Sequence, residues 1–288
     1  MSTPALFLIL LSAFLHAGWN AMMKRIEDRF CLMVGIHIIM AVGLSPFLAR
    51  RAVRQLAEVP TLIIPLSLAA VFFALYHLFL VRSYERGDLS LVYPLTTMAP
   101  ALVPLWGWLW LGERLTAPGF AGIGLVLAGA YAVQFRRLSL KELAQPLRRK
   151  DSAVLMSLAA AFFYSLGSAV DKAGIDQAEV LPYSYLLILA MVVTEVPMAA
   201  GMGLDLGRFM VDNIRYLLGA ALVLMVSFLT YRFGLKVTDV SYAASVRQVN
   251  ALFGVILGLT LFREPFGRYR LAAAILIVAG VVTIKMYG

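Results

Sequence analysis

Residues 88–129 read DLSLVYPLTTMAPALVPLWGWLWLGERLTAPGFAGIGLVLAG, and residues 239–280 read DVSYAASVRQVNALFGVILGLTLFREPFGRYRLAAAILIVAG. The second stretch repeats the first at an offset of 151: Asp88 falls on Asp239, Ser90 on Ser241, Gly107 on Gly258, Glu113 on Glu264, and Ala128-Gly129 on Ala279-Gly280. Nearer the start of each half, an offset of 148 lays the stretch from His16 to Lys24 over that from Tyr164 to Lys172. The chain is therefore a duplication, and its period is too long for a solenoid.

Composition says what is duplicated. With 61% hydrophobic residues, 14% charged and a mean hydropathy of +0.85, a soluble globule of this chain would expose large apolar surface. Apolar runs of about 20 residues are the length that spans a bilayer. Ten occur, at 4–24, 30–49, 60–82, 88–112, 116–136, 152–173, 181–203, 213–235, 239–262 and 267–287. Open sheet edges are unaffordable in lipid, so helices are the consistent reading. The expected fold is an all-α integral membrane protein of ten transmembrane helices. Residues 1–136 and 151–288 would form two five-helix repeats joined by a basic loop at 137–150. An odd number of spans per copy turns the second copy upside down, the architecture of carriers that rock two halves about a central site. The first span lacks a basic leader and matches the sixth, so it is expected to be retained.

Charge supplies topology more than chemistry. Of 25 Lys and Arg residues, 16 fall on the side of the central loop and 8 on the side of the termini, leaving Arg247 inside a span. The basic count alone would place the termini outside the cell. No interleaved aromatics or groove-binding motif accompanies the net charge of +9, so nucleic acid is not expected as a partner. Cys31 is the one cysteine, which excludes an internal disulfide, and no Cys/His cluster suggests a metal. HExxH, GxSxG and Walker motifs are absent, so neither an enzyme nor direct drive by ATP is expected, and no cofactor is implied.

Buried polar groups point to a cavity. Arg247 sits eight residues into the ninth span, too deep for easy snorkelling, with Asn250, Ala243 and Ala244 near it on the helix. Its planar fork of donors suits a carboxylate, phosphate or phosphonate. A structural arginine holding backbone carbonyls is the alternative. Ser12, His16, Trp19 and Asn20 make a polar stripe on the first span, with Tyr164 and Ser168 at the equivalent places on the sixth. That stripe reads as a cavity wall or as interhelical packing. Glu195 is read as the acid deep within a span, on a peripheral seventh helix, and His37 as packing on a peripheral second helix. Glu113 and Glu264 are expected to bond the N-terminus of the next helix, and Asp88 and Asp239 to act as N-caps. Pro94, Pro100 and Pro104 are expected to loosen the fourth span.

The stretch from Leu91 to Gly129 has a proline-bearing helix, a closing Glu and then a Gly-rich helix. It resembles the signature half of the EamA family of the drug/metabolite transporter superfamily, and Ser241 to Gly280 resembles the second copy. The pairing of LHAGWNAMMK (Leu15 to Lys24) with GDLSLVYP (Gly87 to Pro94) is similar to members found near phosphonate-utilisation genes. This chain has Thr97 and Met98 where those members carry a basic and glycine pair. The resemblance implies a pathway enclosed by helices one, three, four, six, eight and nine. With polarity it adds Tyr76, His77, Tyr93, Thr96, Thr97, Thr230 and Tyr231 to the candidate wall. It also implies cytosolic termini, against the basic-residue count.

The expectation is a multi-pass transporter in the cell membrane, a bacterial inner membrane, that moves a small polar metabolite bearing an anionic group by alternating access. The alternative is a lipid flippase of the same fold. Its partners would be the small-molecule or lipid substrate, membrane lipid and protons as coupling ion, with the chain a monomer or homodimer.

Overall fold

The computed structural model describes residues 1–23, 26–87, 95–96, 98–133, 152–262 and 268–288. These residues are helical throughout, apart from turns. In chain order the helices are α1 (Thr3–Met23), α2 (Arg29–Glu58), α3 (Ile63–Arg86), α4 (Ala99–Leu111) and α5 (Ala117–Ala132). There follow α6 (Ser152–Asp176), α7 (Val180–Gly201), α8 (Leu206–Lys236), α9 (Val240–Arg247), α10 (Asn250–Phe262) and α11 (Arg268–Tyr287). Every expected span holds a helix over its described residues. Among the described residues, seven helices are long and apolar enough to cross a membrane: α1, α2, α3, α6, α7, α8 and α11. α2 runs past its expected end to Glu58, carrying Pro46 inside it without a break. The connecting loop expected at 137–150 lies outside the described residues, as do Asp88, Pro94 and Glu264.

The duplication persists in three dimensions. α4 and α10 begin and end 151 residues apart, and α5 and α11 begin 151 apart. The most extensive helix contacts are α3 with α6, α5 with α11, α1 with α8 and α2 with α7. Exchanging the halves carries this set into itself.

Glycines let the equivalent helices α5 and α11 approach closely. A Cβ at Gly280 would lie 2.6 Å from the Gly122 carbonyl oxygen, and one at Gly129 2.7 Å from that of Ala273. Gly122 and Ala273 are themselves equivalent, so the seam meets itself. Gly129 faces Ala273 while the earlier Gly122 faces the later Gly280 and Ile284, so the two helices run antiparallel. α2 and α7 also run antiparallel, since His37 meets Glu195 while Arg51 meets Glu179. Small residues at such seams give van der Waals contact where lipid supplies no hydrophobic drive.

Local chemistry sets the short helices. Pro100, expected to loosen the fourth span, stands in the first turn of α4, where its missing N–H is harmless. Pro104 sits inside α4, which continues to Leu111. Gly112 closes the helix at φ 69°, a left-handed position that favours glycine. Thr116 then opens α5 by accepting the Gly119 N–H at 3.0 Å.

Glu113 works differently from expectation. It reaches the other half, where Oε1 accepts the Val240 N–H at 2.6 Å and Oε2 accepts from the N–H and hydroxyl of Ser241. The carboxylate of the first copy thus caps α9 of the second. Asp239, the expected cap, makes no side-chain bond there. The approach requires Gly107, because a Cβ at that position would strike the Glu113 carboxylate.

Candidate functional site

A cavity of about 150 Å³ lies at the centre of the bundle. Helical spacing delivers its walls: His16, Trp19 and Asn20 from α1, Tyr76 and His77 from α3, Tyr164, Ser168 and Asp171 from α6, and Tyr231 and Arg232 from α8. Arg247 enters from α9. A second cavity of about 90 Å³ continues toward the C-terminal ends of α1 and α3, past Tyr84, Thr96, Gln248 and Asn250. His16, Asn20, Tyr76, Tyr164 and Arg247 line both, and the Tyr76 and Tyr164 rings meet edge to face at 5.0 Å. Thr96 and Arg247 are equivalent by the 151 offset and share the second cavity.

Of the fifteen polar and aromatic residues read as candidate cavity wall, eleven border these two adjoining cavities, and Tyr93 and Thr97 lie outside the described residues. The other two resolve toward packing. Thr230 lines neither cavity, and its hydroxyl donates to the Val226 carbonyl at 2.7 Å on its own helix. Ser12 is buried against α8, donating to the Ser227 carbonyl at 2.7 Å while Ser227 donates back to the Ser12 carbonyl at 2.9 Å.

Arg247 is not inside a continuous span. It is the last residue of α9, and at 248–249 the α-helical bonding gives way to a turn, Gln248 N–H donating to the Ser245 carbonyl and Val249 N–H to that of Val246, before α10 begins at Asn250. Nη2 donates to His16 Nδ1 at 3.3 Å, and the guanidinium carbon stands 4.3 Å from the centre of the Tyr231 ring. Its Nε is buried with no partner among the described residues. Part of the charge is balanced by the negative end of α9. The guanidinium borders both cavities.

A second arginine went unread as a site residue. Counted at a span end, Arg232 is instead 2% exposed and forms a bidentate pair with Asp171: Nη1 donates to Oδ2 at 2.7 Å and Nη2 to Oδ1 at 2.5 Å. Nε donates to the Ser184 hydroxyl at 2.7 Å, and the guanidinium lies over Phe228. Glu195 is therefore not the one deep acid, because Asp171 is 3% exposed on a core helix. Tyr164, Ser168 and Asp171 stand at i, i+4 and i+7, a signal present in the sequence. Just beyond, Lys236 donates to the carbonyls of Ile175, Asp176 and Ala178 at 2.8–3.1 Å. Lys172 donates to Leu235 at 3.0 Å, so the C-terminal ends of α6 and α8 are tied together.

The reading of α2 and α7 as peripheral is corrected on their facing sides. Glu195 is fully buried, and each of its oxygens meets one imidazole: Oε2 lies 2.7 Å from His37 Nδ1 and Oε1 2.6 Å from His77 Nδ1. Both histidines line the main cavity, whereas Glu195 stands behind them. The two imidazoles stack with centres 5.7 Å apart. His37 was missed because its partners come from two other helices.

Comparison with known proteins is consistent with this bundle. The model of the EamA-like transporter family matches residues 3–135 and 151–286. A solved structure described as "Crystal structure of protein" superposes with a TM-score of 0.76 at 17% identity, over 99% of this chain and 98% of its own. At that identity the likeness concerns the fold alone. No curated protein matches the sequence.

Proposed function

We propose that this chain, which belongs to the EamA-like transporter family, is a secondary active carrier of small polar metabolites bearing an anionic group. Family membership makes it a multi-pass membrane transporter, and the finer reading rests on the cavity. Arg247 carries it. Arg232 is matched by Asp171 and Glu195 by two imidazoles, whereas Arg247 faces the cavity with a weak contact to His16 and no carboxylate partner among the described residues. A charge kept in such a place with no carboxylate bonded to it favours an anionic cargo. The walls beside it, Trp19, Tyr76, Tyr164 and Tyr231, suit a small organic body.

Alternating access between two inverted five-helix repeats is the mechanism we infer. The antiparallel pairing of equivalent helices, α2 with α7 and α5 with α11, supports the inversion. The break after Arg247 supports a central site, because carriers place their ligands where membrane helices are interrupted. Cavity space reaches the ends of α1 and α3, while the ends of α6 and α8 are tied by Lys172 and Lys236. That asymmetry is what one of two alternating states requires.

The test is a thermal-shift panel of succinate, inorganic phosphate, methylphosphonate and short-chain phosphatidate on wild type and Arg247→Ala. A ligand that binds the folded state raises its apparent stability. Stabilisation by a water-soluble anion that disappears in the variant is expected. Stabilisation by phosphatidate alone would make the cargo a lipid, and a response equal in both proteins would remove Arg247 from the site.

A further inference from the structure

We propose that His37, Glu195 and His77 form a proton-binding site that couples proton entry to movement of the anion; this rests on the anionic reading of Arg247. The geometry is that of a carboxylate held from both sides. Each Nδ1 is spent on one oxygen of Glu195, at 2.7 and 2.6 Å, so each ring has only Nε2 left to exchange a proton. Neither Nε2 has a protein partner among the described residues or counts as a sealed, unsatisfied atom, and both rings border the cavity. Stacking at 5.7 Å would hold two imidazolium charges against each other, so the pair accommodates one added positive charge and not two.

The groups around the site fix the charge arithmetic. From α6 and α8 come Asp171 and Arg232, which cancel; from α1 comes His16, from α9 Arg247, and from α3, α6 and α8 the phenols Tyr76, Tyr164 and Tyr231. Cys31 on α2 is buried away from the cavity. With Glu195 ionised and both imidazoles neutral, the trio carries one negative charge and Arg247 one positive, so the empty cavity is neutral. A proton alone makes it positive, and a monoanion alone makes it negative. Both together restore neutrality. Moving an uncompensated charge through a low-dielectric interior is costly, so only the empty and the doubly loaded forms reorient freely. Symport of one proton with one monoanion then follows from electrostatics, without a mechanical linkage between the sites.

The chain has three histidines, so the proton can be watched directly. Imidazole 15N NMR of the full-length protein in nanodiscs, recorded over a range of about pH 5 to 8 with His16→Gln for assignment, should show one proton arriving on Nε2 of the His37–His77 pair. Glu195→Gln should move that transition to lower pH, because the imidazolium loses its counter-charge. In proteoliposomes, an inward acid gradient of one unit should raise methylphosphonate accumulation about tenfold in wild type, and Glu195→Gln should abolish that ratio. Imidazoles that stay unchanged across the range, or wild-type uptake indifferent to the gradient, would overturn the coupling site while leaving the anion site standing. Failure of the anion reading shows separately, as absence of stabilisation by every anion in the panel while the imidazoles still titrate.

Discussion

Arg247→Lys and Arg247→Ala separate a ligand-binding arginine from a structural one, with Arg232→Ala as the internal reference. Lysine keeps the charge but loses one arm of the fork, a charge-assisted bond of about 1.5–3 kcal/mol. At tenfold per 1.4 kcal/mol, affinity for a bound anion should fall about 10- to 150-fold. Alanine removes the charge altogether, and saturable binding should vanish. Stability should respond differently. Arg247→Ala gives up one 3.3 Å contact with His16 and the face of Tyr231, and leaves no described carboxylate stranded. The loss should stay near 1 kcal/mol, a melting shift of about 2–4 °C. Arg232→Ala strands the buried Asp171 carboxylate, and breaking such a pair costs about 3–5 kcal/mol. Differential scanning fluorimetry and anion titration on the same preparations read both quantities. The reasoning is refuted if Arg247→Ala is as destabilised as Arg232→Ala, or if it binds the anion as wild type does.

Three further outcomes follow from the packing. Gly280→Val should lower the melting temperature by an amount equivalent to about 1–3 kcal/mol, since its Cβ meets the Gly122 backbone, which cannot yield; a neutral result would mean that the α5–α11 seam is looser than described. Glu113→Gln should cost about 1–3 kcal/mol by weakening the cap on α9, and Gly107→Ala should be non-additive with it in a double-mutant cycle of thermal stability, because both act through one carboxylate. Lys236→Met should leave the ends of α6 and α8 less protected, read as faster amide hydrogen exchange at Ile175 to Ala178; unchanged exchange would show that the tie is incidental.

The membrane makes part of this fold legible. Lipid forbids unpaired backbone, so apolar length alone locates helices, and a duplicated sequence ties the two halves to one plan. The helices α4 and α10 keep the 151 spacing at both ends for that reason. Cavity residues on a single helix were also readable, because His16 and Asn20 make a stripe without reference to any partner. What stayed hidden was pairing across helices. His37 and His77 meet Glu195 from 158 and 118 residues away, and no periodicity on α2 or α7 announces that they face each other. Arg232 looked like a span-end cation because its partner Asp171 sits 61 residues earlier, near the expected end of another span. The interruption after Arg247 was equally silent: Gln248 and Val249 include neither proline nor glycine, so no local breaker marks it.

The seam between α5 and α11 bears on how such a chain arose. Gly122 against Gly280, and Gly129 against Ala273, are one contact met twice, with each helix offering the other its own surface. That is the isologous interface by which two identical subunits form a dimer. A half-length ancestor of one copy would have had to dock on a partner inserted the opposite way, so its loops could carry no strong basic bias. Within a single chain that restriction would not apply, and the two copies could differ. Arg247 in one half, with Thr96 at its counterpart in the other, marks a place where they did.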